Sequence, residues 1–243
     1  MTALSVVTGA SSGIGAAVAE RLARDRHRLL LIGRHSGRLD AVAHRTGGTP
    51  VVADLAEPHG IERVQEQAAG PIRLLVHAAG VGAAAPLGQM SDADIAALTA
   101  VNLVAPMQLT RTLLPGLQAA GGRVAFVASI AAIGVAGEAV YAGTKAGVRA
   151  FADALRLETG LRVTTVLPGA VATPFFATRG APYDRRFPRP ATAARVADAL
   201  VDAVGRGRAE VFVPRWLVVA ARVHGVAPGL FTALSRRFAA SDG

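Results

Sequence analysis

An alternation of short apolar runs with longer helical stretches constrains this chain more than any other feature. The runs lie at Leu4 to Val7, Leu29 to Ile32, Val51 to Ala53, Leu74 to Val76, Val124 to Ala128, Val163 to Leu167 and Val211 to Val213. The helical stretches between them are Gly13 to Arg26, Gly37 to Arg45, Glu57 to Ala69, Asp92 to Leu117, Glu138 to Leu157 and Thr192 to Val204. A strand that is apolar at every position, rather than every second one, must be covered on both faces. The pattern therefore predicts a doubly wound α/β fold, a seven-stranded parallel sheet with helices on both faces, as a single domain over residues 1–243. Such sheets bind ligands beyond the carboxyl ends of their strands, so the loops leaving those ends are expected to carry the chemistry.

With 51% hydrophobic and 18% charged residues the chain is far too apolar to be disordered, and without cysteine it has no disulfide, thiolate nucleophile or Cys-built metal site. A net charge of +9 raises the question of a polyanionic partner. The arginines are scattered, with only short clusters such as Arg185–Arg186 and Arg236–Arg237, and aromatics make up 5%, so a solvated basic surface is expected and no nucleic acid. The N-terminus enters its first apolar run without the segments of a secretory signal, so a cytoplasmic protein is expected. Residues 214–243 read as an amphipathic extension in which Trp216, Leu217, Phe231 and Leu234 accompany Arg215, Arg222, Arg236 and Arg237. Its apolar run is too broken by Arg222, Gly225 and Pro228 to span a bilayer. Dimer packing, a pocket cover and peripheral membrane contact all fit; helices that cover their own core are the commoner case, so membrane contact is the minority reading.

After the first run comes Thr8-Gly9-Ala10-Ser11-Ser12-Gly13-Ile14-Gly15, followed at once by a helical segment. Strand, glycine-rich turn and helix in this order form a Rossmann-like phosphate cradle: glycines let the backbone approach a pyrophosphate, and the helix N-terminus presents N–H groups and a positive dipole end. The plainer alternative is a tight turn with no ligand.

A second constellation lies further on. Tyr141 and Lys145 are four residues apart on an expected helix, hence on one face. Lys145 is the only lysine beside 25 arginines, and Asn102 is the only asparagine, set in Val101-Asn102-Leu103-Val104-Ala105-Pro106. A compact ammonium differs from a guanidinium in its rotatable donors, while an asparagine inside a long helix predicts a bend or a polar site there. Ser129 ends the fifth run, at the ligand-binding edge of the sheet.

Taken together, the T-G-x-x-x-G-x-G turn, the set Asn102, Ser129, Tyr141 and Lys145, and Pro168-Gly169-Ala170-Val171-Ala172-Thr173 resemble the short-chain dehydrogenase/reductase family, from Thr8 to about Pro214. The resemblance implies an oxidoreductase that interconverts a ketone or aldehyde and an alcohol. Tyr141 would be its acid/base, Lys145 would lower the phenol's pKa, Ser129 would donate to the substrate oxygen, and Asn102 would hold a water linking Lys145 to solvent. It implies a dinucleotide held by Thr8, Gly9, Ser11, Ser12, Gly13, Ile14 and Gly15, by Asp54 and Leu55, by Ala79 and Gly80, by Tyr141 and Lys145, and by Pro168, Gly169, Val171 and Thr173. Gly33-Arg34, with no carboxylate at the end of the second run, points to NADP rather than NAD. In the segment Leu75 to Gly80 both asparagines of the family pattern are missing.

The resemblance further implies a homodimer or homotetramer, built on the helices that begin at Asp92 and Glu138. Residues 173–190, which lack periodicity, are read as a substrate lid; Phe175, Phe176, Tyr183 and Phe187 are candidates for an apolar substrate wall, with Ile133, Val135 and Val140 as weaker ones. The six histidines show no metal-ligand spacing, so no catalytic metal is expected. The alternative reading is a non-catalytic NADP-binding regulatory protein on the same fold.

Overall fold

A computed structural model describes residues 3–183 and 188–241. Strand β1 (Leu4–Thr8) leads into α1 (Gly13–Arg24), β2 (Arg28–Gly33) into α2 (Ser36–Thr46), and β3 (Thr49–Val52) into α3 (Pro58–Gln67). Strand β4 (Ile72–His77) is followed by α4 (Asp92–Thr99) and α5 (Ala105–Ala119), and β5 (Arg123–Val127) by α6 (Ala139–Thr159). Then come β6 (Arg162–Pro168), β7 (Val171–Ala172), the one-turn α7 (Phe175–Thr178), β8 (Ala191–Thr192), α8 (Ala193–Gly205) and β9 (Glu210–Val213). Helices α9 (Leu217–Val226) and α10 (Pro228–Ser241) close the chain.

Seven strands form one parallel sheet in the order β3-β2-β1-β4-β5-β6-β9, the expected Rossmann-like single domain. The chain winds outward from β1 to β3 and then restarts at β4 on the other side of β1, so the crevice of the fold opens between β1 and β4. One face is covered by α3, α5 and α6, through Ile61, Leu109, Leu117 and Val148, and the other by α1, α2 and α8, through Val18, Leu22, Leu39 and Leu200. Burying apolar strands on both sides, at about 25 cal/mol per Å² of apolar surface, is what holds the crevice loops in place.

The expected helix from Asp92 to Leu117 is in fact two helices joined by a π-helical turn, Ala100–Val104, with Asn102 at its centre. This is the irregularity the asparagine predicted. Asp92–Ala119 has the length and composition of a membrane span, but Leu109, Leu113 and Leu117 bury its inner face against the sheet. The aperiodic stretch is bracketed by a two-stranded ladder, Val171 opposite Ala191 and Ala172 opposite Thr192, which pins both of its ends at the crevice. In the C-terminal extension, Leu217 packs with Ala128, Leu167 and Phe212, so α9 covers core with one face while α10 rests on α9.

Candidate active site

At the glycine turn the site is made of backbone. Gly9 has φ +65°, and a side-chain carbon there would come within 2.7 Å of the Ala78 carbonyl oxygen and the Ala79 backbone. At Gly15 the same carbon would lie 2.3 Å from the Gly9 oxygen. The Thr8 hydroxyl accepts from the Ala78 and Ala79 amides, 3.1 Å each, and so ties the end of β1 to the end of β4. Ser12 stands extended before α1 and makes no side-chain bond to the helix amides. The first turn is thus left uncapped where a phosphate would satisfy it, a cradle that fits a dinucleotide.

From this turn a trough of about 760 Å³ runs along the carboxyl ends of the strands to Tyr141. Every residue expected to hold the dinucleotide lines it except Thr8 and Gly15. Those two stand just behind its wall: the Thr8 hydroxyl accepts from β4's end and Gly15 lets α1 approach Gly9, so each shapes the cradle. At the far end from Tyr141, Arg34 pairs with Asp54 at 3.5 Å, both half exposed, and Arg38 also faces the trough. Sequence reasoning missed Gly60, where a side-chain carbon would lie 1.7 Å from the Asp54 oxygen. Only glycine lets α3 start close enough to fix Asp54.

Tyr141, Ser129 and Lys145 converge at the other end. The Tyr141 phenol is hydrogen-bonded to the Ser129 side chain, and the Ser129 hydroxyl accepts from the Ala131 amide at 3.1 Å. Lys145, buried on the same face of α6, donates from Nζ to the Val127 carbonyl at 3.0 Å and lies 5.7 Å from the centre of the Tyr141 ring. Asn102 does not line the trough. Its amide is used in full behind it: Oδ1 accepts from the Val81 amide and Nδ2 donates to the Val81 carbonyl, both 2.9 Å, and Nδ2 also donates to Thr144 Oγ1 at 3.3 Å. Asn102 thus joins Val81 to Thr144 behind the trough, beside the Lys145 ammonium it was expected to serve. Its oxygen and Lys145 Nζ both close on Gly80, 3.3 and 3.5 Å from where a side-chain carbon would be.

Over this centre lies the segment that begins at α7. The Phe175 ring sits 5.5 Å from that of Tyr141, Phe176 follows at 5.7 Å from Phe175, and Tyr183 at 5.2 Å from Phe176. Phe175 enters because position 82 is glycine: a side-chain carbon there would meet its ring at 2.4 Å. Arg179 pairs with Glu138, stacks 4.7 Å over Phe176, and through its carbonyl accepts from the Ala84 amide at 2.9 Å. Val135 also lines the trough, whereas Ile133 and Val140 do not; Ile133 is buried behind it, and Phe187 lies outside the described residues.

Comparison with known proteins agrees with this geometry. The family of short chain dehydrogenases matches residues 3–184. The chain belongs to it. A ketoacyl reductase, HetN, of Nostoc sp. is 32% identical over 226 residues, 86% of this chain and 77% of that protein. Among solved structures, a short-chain dehydrogenase from Sphingobium yanoikuyae in complex with NADPH superposes with a TM-score of 0.82 at 29% identity, over 92% of this chain and 94% of that one. A bulky-bulky ketone specific alcohol dehydrogenase from Comamonas testosteroni gives 0.77 at 27% identity, over 92% and 93%. This chain is thus an oxidoreductase of the short-chain dehydrogenase family, working between CH–OH and C=O groups.

In this short-chain dehydrogenase, burial dominates the electrostatics of the centre. Burial pushes the Tyr141 phenol above its ordinary value; the Ser129 hydrogen bond opposes that shift, Glu138 adds to it and Arg179 opposes it. The expected acidifying pull of Lys145 is not among these influences. Lys145 itself is drawn down to about 8 by burial. His77, where the family pattern has asparagine, turns away from the trough; its Nε2 is 2.9 Å from Thr110 Oγ1, its ring stacks 4.8 Å from that of Phe126, and burial lowers it to about 3, so it is a neutral core group.

Proposed function

We propose that the protein is an NADPH-dependent reductase of ketones and aldehydes, reversible with the alcohols, in which Tyr141 is the proton donor. What carries this reading is one arrangement: the phenol, the Ser129 hydroxyl and the Lys145 ammonium meet in the trough that the glycine turn enters from its other end. A bound nicotinamide dinucleotide would supply the hydride that reaches the carbonyl carbon. Negative charge then grows on the substrate oxygen, and the Tyr141 and Ser129 hydroxyls are the donors held ready for it. Tyr141 passes its proton to that oxygen. Lys145, one helical turn away, stabilises the phenolate left behind, since a nearby cation favours the charged form. The Ser129 hydroxyl donates to the substrate oxygen while Tyr141 gives up its proton, and the aromatic cover of Phe175 and Phe176 excludes water.

NADP rather than NAD is supported by Arg34 at the adenosine end, by the pairing of the nearest carboxylate, Asp54, with that arginine, and by the NADPH bound to the Sphingobium relative. The apolar wall supports a hydrophobic carbonyl compound as substrate. The test is NADPH oxidation against a panel of ketones and aldehydes. Tyr141→Phe is expected to lower turnover roughly 10²- to 10⁴-fold while NADPH binding, followed by fluorescence, stays unchanged. Wild-type protein that binds NADPH tightly yet turns over nothing on the panel would support the regulatory reading instead.

A further inference from the structure

Nine large apolar side chains are exposed among the described residues, and five of them, Trp216, Val219, Val226, Leu230 and Leu234, belong to the α9–α10 hairpin and the residue before it. The inner face of α9 is accounted for by Leu217, with Val218 and Ala221 packed against the same cluster. Its outer face, at helical spacing, exposes Val219, Arg222 and Val226, and Arg215 is exposed in the turn that leads into it. Helix α10 adds Leu230 and Leu234, and the edge-on contact of Phe231 with His224, 5.2 Å between ring centres, holds the two helices as one unit. From Val211 to Ser241 the sequence contains four arginines, Arg215, Arg222, Arg236 and Arg237, and no aspartate or glutamate.

Charge decides what covers this face. A second copy of the chain, joined about a two-fold axis, would set Arg215 and Arg222 against the same arginines with no carboxylate on the hairpin to meet them, in a chain that already carries +9. An anionic surface meets both halves of the pattern. Helix α9, ten residues and therefore about 15 Å long, is half the length needed to cross a bilayer, and it suits an in-plane position. We propose that the α9–α10 hairpin seats the protein on an anionic phospholipid bilayer. Val219, Val226, Leu230 and Leu234 enter the boundary between headgroups and acyl chains, and Arg215 and Arg222 meet the phosphates. Leu217, the first residue of α9, also lines the trough, so the seat adjoins the substrate site.

Full-length protein is sedimented with vesicles of phosphatidylcholine alone and of equimolar phosphatidylcholine and phosphatidylglycerol. Binding is expected to the mixed vesicles only and to weaken with added salt. Arg215→Ser with Arg222→Ser should weaken it roughly 30-fold, about five-fold for each arginine near the surface. Val219→Asp with Val226→Asp should abolish it. Circular dichroism and NADPH oxidation with a water-soluble ketone, both unchanged in these variants, separate the result from misfolding and from the fate of the reductase reading. Failure of the wild type to bind the mixed vesicles, or equal binding by both double variants, overturns the proposal. So does a loss of oligomer, read by analytical ultracentrifugation without lipid, in the valine variant, which would make the face a contact between copies.

Discussion

The two ends of the trough are built on opposite terms. At the glycine turn, contacts are backbone to backbone: Gly9 against Ala78 and Ala79, Gly15 against Gly9, and Gly60 against Asp54. At the Tyr141 end they are side chain to side chain: Phe175 over Tyr141, Phe176 beside Tyr183, Arg179 with Glu138. A backbone contact has no freedom to re-form around a larger neighbour, whereas packed side chains can find new rotamers. The first end therefore suits one ligand of fixed shape, and the second can re-form around ligands of different shape.

Gly9→Ala should show the largest effect, because the new methyl meets backbone at 2.7 Å and the residue must keep φ +65°. We expect a loss of about 3 kcal/mol in urea unfolding and no measurable NADPH binding. A variant that bound NADPH normally would break the contrast. Lys145→Met tests the centre, where the two ends meet. With Lys145 at about 8 in the folded protein and 10.5 in an unfolded chain, the unfolded state binds more protons between those values. Stability should therefore rise with pH across that window, by on the order of 3 kcal/mol, in the wild type and stay flat in the methionine variant; below about pH 8 both states are protonated and the contribution is constant.

Arg179→Met should cost about 1–2 kcal/mol, since it leaves Glu138 largely buried and unpaired. It should also raise KM for the ketone more than it lowers kcat. Adding Glu138→Gln should restore stability in a thermal melt but not KM, which would sharpen the distinction between holding the cover shut and holding the fold together. Arg34→Ser, at the exposed rim, should have the smallest effect: roughly a ten-fold drop in the preference for NADPH over NADH, measured as a ratio of kcat/KM, with turnover on saturating NADPH unchanged.

The same contrast explains what the sequence made legible. Continuous apolar runs marked all seven strands of the sheet, and the strand–turn–helix order located the cradle, because both are local patterns. Asn102 announced its π-helical turn by standing where a helix disfavours it. By contrast, the pair Glu138–Arg179 and the contact of Gly82 with Phe175 join residues far apart in the chain, and nothing in the spacing of either partner reveals the other. Thr8 and Gly15 were legible as members of the turn, but that they stand behind the trough rather than on its wall is set only when β1 meets β4 and α1 packs on the turn. The outward face of α9 was visible as an amphipathic pattern, and only the packing of Leu217 settles which side is left over.

The π-helical turn at Ala100–Val104 acts as a gear tooth in the long helical run. Each added residue advances a helix by about 100°, so the surplus residue sets the angular phase of all that follows. At its centre the turn aims the Asn102 amide at Val81, and downstream the chain lays Leu109, Leu113 and Leu117 on the sheet. Within those five positions the number of residues matters more than their identity: lose one and the leucines swing off the sheet together.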